Sequence, residues 1–284
     1  MSTLDRRLVL SLDEAPLPLS CRLSLQGCHT LNLFPDLFQL QAWNLSESTY
    51  RRFLNGKEFS VSVPGTSGAP AAASQVSAVL NPASASGTAG LLVSGQIADV
   101  TRHPTPDGSV TSVTFSPGLS FWESAVALTV PAGASASETL RMLLAASGTG
   151  VSLLAFPAED PVFARPQTFF GRTAEAVEAV LSACSPRPSA LLTPAGLTVV
   201  SVSEALSRPA SLILRESDLS GPPVEASAGL LCRMPPAAWP LGTAVEILLP
   251  GGKASGLLTR HRIEADTGTG PWYSELEITE RSLP

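Results

Sequence analysis

At 284 residues the chain has room for one large domain or two to three small ones. Its hydrophobic share of 44% and positive mean hydropathy are enough to fill packed cores, while its charged share of 15% is well below the roughly one quarter of an ordinary soluble chain. The net charge of −6 argues against non-specific nucleic-acid binding, because an acidic chain does not steer itself to phosphate.

Taken in chain order, "RLVLSL" reads as a first strand and "LSCRLSLQG" as a second, stopped by Gly27. "LFQLQAW" alternates clearly, with Phe38, Leu40 and Ala42 on one face and Gln39, Gln41 and Trp43 on the other. The next stretch, "NLSESTYRRFLNG", predicts a short helix. Ser46 can cap its start, Glu47 suits the positive helix end, and Asn55-Gly56 tolerates the left-handed conformation that ends a helix. "KEFSVSV" returns to alternation, with Phe59, Val61 and Val63 together. Residues 64–90 differ: 20 of the 27 are Ala, Ser, Gly or Pro, too few large apolar side chains to offset chain entropy, so a long loop or insertion is expected. "LLVSGQIADVTRH", the turn "PTPDG" and "SVTSVTF" predict a hairpin, and "FWESAVALTV" a further strand.

The pattern then changes to helical spacing. "SASETLRMLLAAS" predicts a helix capped by Ser135 or Ser137, with Leu140, Leu143 and Leu144 inward and Gly148 as its stop. "GRTAEAVEAVLSAC" predicts a second, with Ala174, Val177, Val180 and Leu181 inward and Pro186 beyond its end. "GVSLLAF" lies between them, and "SALLTPAGLTVVSV" reads as a hairpin turning at "TPAG". From "ASLILRESDLSG" onward, "AGLLCRM", "TAVEILLP", "ASGLLTRHRIEAD" and "PWYSELEIT" are strands between Gly/Pro turns. The expected fold is mainly β with a small α/β insert. Residues 1–130 form a first antiparallel β-barrel, 131–205 a small α/β domain with two helices, and 206–284 a second β-barrel.

The four cysteines, Cys21, Cys28, Cys184 and Cys232, fit neither a zinc site nor a disulfide framework and are expected to be free, buried thiols in a reducing compartment. No segment has the length of a signal h-region or a membrane span, so synthesis and retention in the cytoplasm are expected. His29, His103 and His261 are far apart in sequence and are read as satisfied surface or interface histidines. The adjacent carboxylates of "DEA" and "AED" suit solvent better than acid–base work, and "PGGK" and "EADTGTG" are turns rather than phosphate or calcium loops. "NLS" at Asn44 matches a glycosylation sequon, yet nothing indicates secretion. No catalytic, cofactor-binding or metal-ligating residue is assigned. The low charge suits either surfaces covered by partners or a Ser/Thr/Gly-rich β protein. The use of 16 Arg against 2 Lys suits interface pairing or a GC-rich genome.

The ordered set of these stretches resembles the baseplate hub proteins of phage tails, whose fold is shared by the base of type VI secretion spikes. "LFQLQAWNLSESTYRRFLNGKEFSVSV" is similar to that family's strand, "NLS" helix and strand. "VPAGASASETLRMLLAASG" and "TFFGRTAEAVEAVLSAC" resemble its two inserted helices. "GLLTRHRIEADTGTGPWYSELEI" resembles its closing hairpin. The 64–90 stretch departs from the pattern, where a short connection is expected. The resemblance implies a homotrimeric ring matching a hexameric tail tube or distal tail protein on one face and a trimeric spike on the other. A tape measure protein would be a further partner, DNA would pass only transiently through the lumen, and the ring would be assembled in the host bacterial cytoplasm into the virion tail baseplate. Two other classes stay open: a hydrolase, for which Cys28–His29 would be a poor pair because adjacent strand residues point apart, and a carbohydrate-binding module using Trp43, Trp122, Trp239 or Trp272 as stacking platforms.

Overall fold

The computed structural model describes residues 6–63, 90–193, 196–227 and 229–280. The predicted loop at 64–90 therefore lies outside the described residues except for Gly90, as does the tip of "TPAG" at Pro194 and Ala195. Two compact units divide the chain: residues 1–30, 36–116 and 209–284 form the first, and residues 31–35 and 117–208 the second.

The first unit begins with β1 (Val9–Leu12), β2 (Ala15–Leu17), β3 (Leu23–Thr30) and β4 (Phe38–Trp43). Helix α1 (Glu47–Asn55), β5 (Glu58–Val63), β6 (Gly90–Thr105) and β7 (Gly108–Ser116) follow. In the second unit the order is α2 (Leu119–Glu123), β8 (Ala125–Val130), α3 (Ala136–Ser147), β9 (Leu153–Ala155), β10 (Gln167–Arg172), α4 (Thr173–Ser182), β11 (Ser189–Thr193), β12 (Gly196–Val200) and α5 (Val202–Ser207). The chain then returns to the first unit through β13 (Leu212–Arg215), β14 (Val224–Ala226), β15 (Gly229–Met234), β16 (Ala244–Leu249), β17 (Gly252–Asp266) and β18 (Trp272–Glu280).

Thirteen strands of the first unit form one sheet, ordered β14-β15-β18-β17-β3-β4-β7-β6-β5-β1-β2, with β16 pairing both β17 and β13. The fold is mainly β, as the alternation predicts. The two expected closed barrels are corrected: the pairing runs open from β14 to β2, and no closed barrel is found among the described residues. The physical reason is the length of β17. Its first half pairs with β16, while Arg260–Asp266 pair antiparallel with Ser24–Thr30 of β3, so backbone groups that a barrel would have closed on themselves join the two strand sets instead.

The core follows the alternation. Phe38, Leu40 and Ala42 are buried with Phe59, Val61, Val113 and Phe115, and Ile263 and Ala265 of β17 enter the same cluster. Phe59 meets Phe115 edge-on with ring centroids 5.1 Å apart, and each such ring buried contributes about 1.5–3 kcal/mol. Helix α1 starts as expected, the Ser46 hydroxyl accepting from Thr49 N–H. Its end differs. Gly56 has an extended backbone (φ −75°), and a Cβ there would sit 2.5 Å from Leu12 Cδ1, so a larger residue would have to push the Leu12 side chain aside. A turn that periodicity did not show lies at Asp13-Glu14, both in the left-handed region, where the Asp13 carboxylate accepts from the N–H groups of Lys57 and Glu58.

In the second unit, α3 and α4 pack over the three-stranded sheet β11-β12-β9 around Phe121, Leu140, Leu143, Val177 and Leu197. Ser135 caps α3 in a capping box with Glu138, and Gly148 ends it with φ +67°. The strand expected over "FWESAVALTV" is corrected at its start: Phe121, Trp122 and Glu123 are helical in α2, and only Ala125–Val130 is extended. Burial of Phe121 and the hydrogen bond from Trp122 N–H to Gly118 O favour the helical turn over extension. No described helix is long and apolar enough to cross a membrane.

Candidate functional site

The most closely interlocked polar cluster lies where β3 meets β17. Register sets His261 directly opposite His29, and Arg262 opposite Cys28. The His29 ring nitrogen Nδ1 is 3.0 Å from Asp36 Oδ2, and Asp36 also accepts from the Thr30 hydroxyl at 3.0 Å. His261 is buried, and its Nε2 shares a hydrogen bond of 2.8 Å with Ser274 Oγ. Burial, reinforced by the nearby His29, pushes the His261 imidazole down to about 3, so it is neutral at pH 7. Ser274 and His261 resemble part of a hydrolytic pair, but both are sealed inside the sheet at 0% and 1% exposure, where no substrate carbonyl can reach them. Their geometry fastens strands together.

Beside this junction, the outward face of the sheet carries a ladder of opposed charges. Arg233 pairs with Glu275 at 2.9 Å and Arg260 with Glu277 at 3.5 Å, while Arg262 pairs with Glu264. Arg260 Nε also donates to Cys28 Sγ at 3.1 Å. The polar face continues through Gln26, whose amide donates to Gln39 at 2.6 Å, and Gln39 donates in turn to Ser112. Each arginine on this ladder is offset by a carboxylate, so the face presents matched charges instead of a phosphate-binding stripe. At the far end of β17, Arg22 forks onto Asp266 through contacts of 3.1 and 2.6 Å and lies 4.5 Å over the Trp43 ring. The Arg22 hydrogen bonds hold the Asp266 carboxyl below its ordinary range, with help from Gly268 N–H.

The other residues singled out in the sequence disperse. His103 pairs with Val110 in the β6–β7 hairpin, away from the other two histidines in register. All four cysteines are free; Cys184 and Cys232 are buried, and burial pushes the Cys232 thiol up to about 11. Trp239 is buried, Trp272 packs on the first core, Trp122 packs on the second unit's core, and Trp43 is half-buried under Arg22. Among the described residues no group of three His, Cys, Asp or Glu side chains is placed to hold a metal ion. The His29–His261 facing pair was invisible to spacing, since its partners come from opposite ends of the chain.

The second unit carries an open cleft of about 690 Å³ at the end of α4, within the range of binding clefts. Pro157, Pro161, Pro186 and Pro188 line it, with Glu159 and Glu204 among its polar residues. Asp160 beside them is already engaged. Burial opposes its ionisation, but hydrogen bonds from the Ser137 hydroxyl and N–H hold the carboxyl below its ordinary range.

The described residues thus form an open, mainly antiparallel sheet joined through β3 and β17, with an α/β unit carrying four helices, α2 to α5, inserted in the chain. No protein-family model matches the chain, and no curated protein matches its sequence. Solved structures do match its fold. A tail protein from Neisseria meningitidis MC58 superposes with a TM-score of 0.65 at 12% identity, covering 96% of both chains. The 43 kDa tail protein of prophage MuSo2 from Shewanella oneidensis matches at 0.61 and 8% identity, covering 96% of this chain and 97% of that one. An E. coli component of the type VI secretion system, described as structurally similar to T4 bacteriophage tail proteins gp27 and gp5, matches at 0.60 and 11% identity over 96% of this chain and 77% of that one. The resemblance drawn from the ordered motifs is thus borne out as a shared fold across nearly the whole chain.

Proposed function

We propose that the chain is a structural hub subunit of a phage-type tail baseplate, and that it works as a shape adaptor without catalysis. The observation that supports this best is the near end-to-end fold match to tail proteins, which includes both strand sets and the α/β insert. In this reading three copies close into a ring. Residues 1–130 and 206–284 act as two similar hub domains per copy, and 131–205 is the insert between them. Three copies then present six similar faces to a hexameric tube or distal tail protein, and a threefold face to a trimeric spike. A tape measure protein and transient DNA complete the partners, and the assembled ring resides in the virion tail after assembly in the bacterial cytoplasm.

Co-expression with candidate tail tube and spike proteins, followed by electron microscopy of the purified complex, tests this reading. Rings of three copies between tube and spike are expected. Recovery of the chain free of every tail component would overturn it.

A further inference from the structure

Two features of the second unit remain without a role, and they complement each other. The first is the ribbon formed by β8 and β10. On its outer face Phe170 stands opposite Ala127, and Arg172 opposite Ala125, so a large ring and a guanidinium rise above small side chains. Phe170 is 90% exposed. Leaving such a ring in water forgoes the burial of about 150–250 Å², and aromatic and arginine side chains are the commonest interface anchors. Arg172 is exposed, two residues along the same strand and therefore on the same face, and it makes no ion pair with a described residue. The second feature is the proline-lined cleft, apolar at Pro157, Pro161, Pro186 and Pro188, with the exposed Glu159 beside it also unpaired among the described residues.

The two features sit at opposite ends of one helix. Arg172 is the N-cap of α4, while Cys184, Ser185 and Pro186 of the cleft follow directly on its C-terminus. The ten residues of α4 span about 15 Å, so Phe170 is held away from the cleft of its own chain. A knob at one end and a matching hollow at the other is the condition for head-to-tail association, which closes into a ring when the rotation permits.

We infer that Phe170 and Arg172 of one copy dock into the proline-lined cleft of the next copy, Phe170 against the prolines and Arg172 against Glu159. This rests on the ring reading above and names one of its contacts. A single aromatic anchor buries far less than the roughly 800 Å² per partner of a stable interface, so it acts as one anchor within a larger ring contact.

Sedimentation of the full chain at rising concentration, with exposed-site variants, tests the inference. The double variant F170A/R172E and the single variant E159R are each expected to weaken self-association at least tenfold. The swapped pair R172E/E159R is expected to recover association relative to either single charge reversal. Because all three positions are exposed, the variants should fold as the parent does, which circular dichroism checks. If the parent forms trimers and the knob and cleft variants do so equally well, the contact is refuted while the ring reading stands. Weakening by R172E that E159R does not relieve would also refute it, by assigning the knob a different receptor. A parent chain that stays monomeric alone and with its neighbouring tail proteins would remove both.

Discussion

His29 and His261 face each other across the β3–β17 pairing, with ring centroids 6.4 Å apart. One is tied to Asp36 and the other to Ser274, so each imidazole at the pairing of β3 with β17, the one pairing that links the two strand sets among the described residues, is anchored within its own strand set.

That pairing should be sensitive to acid. The folded His261 has its proton affinity lowered to about 3, against an ordinary value of 6.5, so below pH 6.5 the unfolded chain takes up a proton that the folded chain refuses. Stability is then lost at about 1.4 kcal/mol per pH unit as pH falls from 6.5 toward 3. The carboxyls of Asp13, Asp160 and Asp266 are held below their ordinary range, so the stability they contribute is lost only below about pH 5. Urea unfolding between pH 6.5 and about pH 5 should show this slope in the parent chain and a flatter one in His261→Gln, which keeps a hydrogen-bonding group toward Ser274. Equal slopes would show that His261 is not the titrating group.

Gly27 should be irreplaceable for a steric reason. It pairs with both Phe38 and Ile263, and a Cβ there would come within 2.2 Å of Phe38 Cδ1. Phe38 is fully buried against Phe115 and cannot swing outward. Gly27→Ala should therefore lower unfolding stability by about 1–3 kcal/mol. A variant as stable as the parent would mean that the aromatic cluster has slack that the packing does not show.

Asp266 and Arg22 hold the end of β17 to the start of β3. Asp266 is nearly buried and accepts two Arg22 contacts and Gly268 N–H. Asp266→Asn removes the charge that these donors are arranged around and should cost about 1–3 kcal/mol, given that Arg22 is half-exposed and partly screened. A thermal melt of this variant, beside Arg22→Met and the double variant, should show the two losses to be non-additive.

The cysteines offer a chemical readout of burial. Cys232 is buried and its thiol is pushed up to about 11, whereas Cys21 and Cys28 are part-exposed. A thiol reagent at pH 8 should label Cys21 and Cys28 well before Cys232 in the folded chain, and all four after denaturation. Fast labelling of Cys232 would place it at the surface.

Local pattern carried much of this fold. The alternation in "LFQLQAW" put Phe38, Leu40 and Ala42 together on what is the buried face, and local pattern narrowed the cap of α3 to Ser135 or Ser137, of which the helix uses Ser135, because both features depend on neighbours a few residues away. What periodicity could not carry was the long-range register. That β17 joins β3, more than two hundred residues earlier in the chain, turns two expected barrels into one open sheet and brings His261 onto His29. The ordered motifs pointed to the tail-protein fold, while the knob at Phe170 hid in "TFFGR". There two adjacent phenylalanines look alike in sequence, yet Phe169 faces the core and Phe170 faces water.

The most direct test of the hub reading is the native mass of the purified chain across concentrations, alone and with each neighbouring tail protein. The account predicts a species of three copies, favoured at high concentration or by the spike. A mass that stays at one copy under every one of these conditions would contradict it.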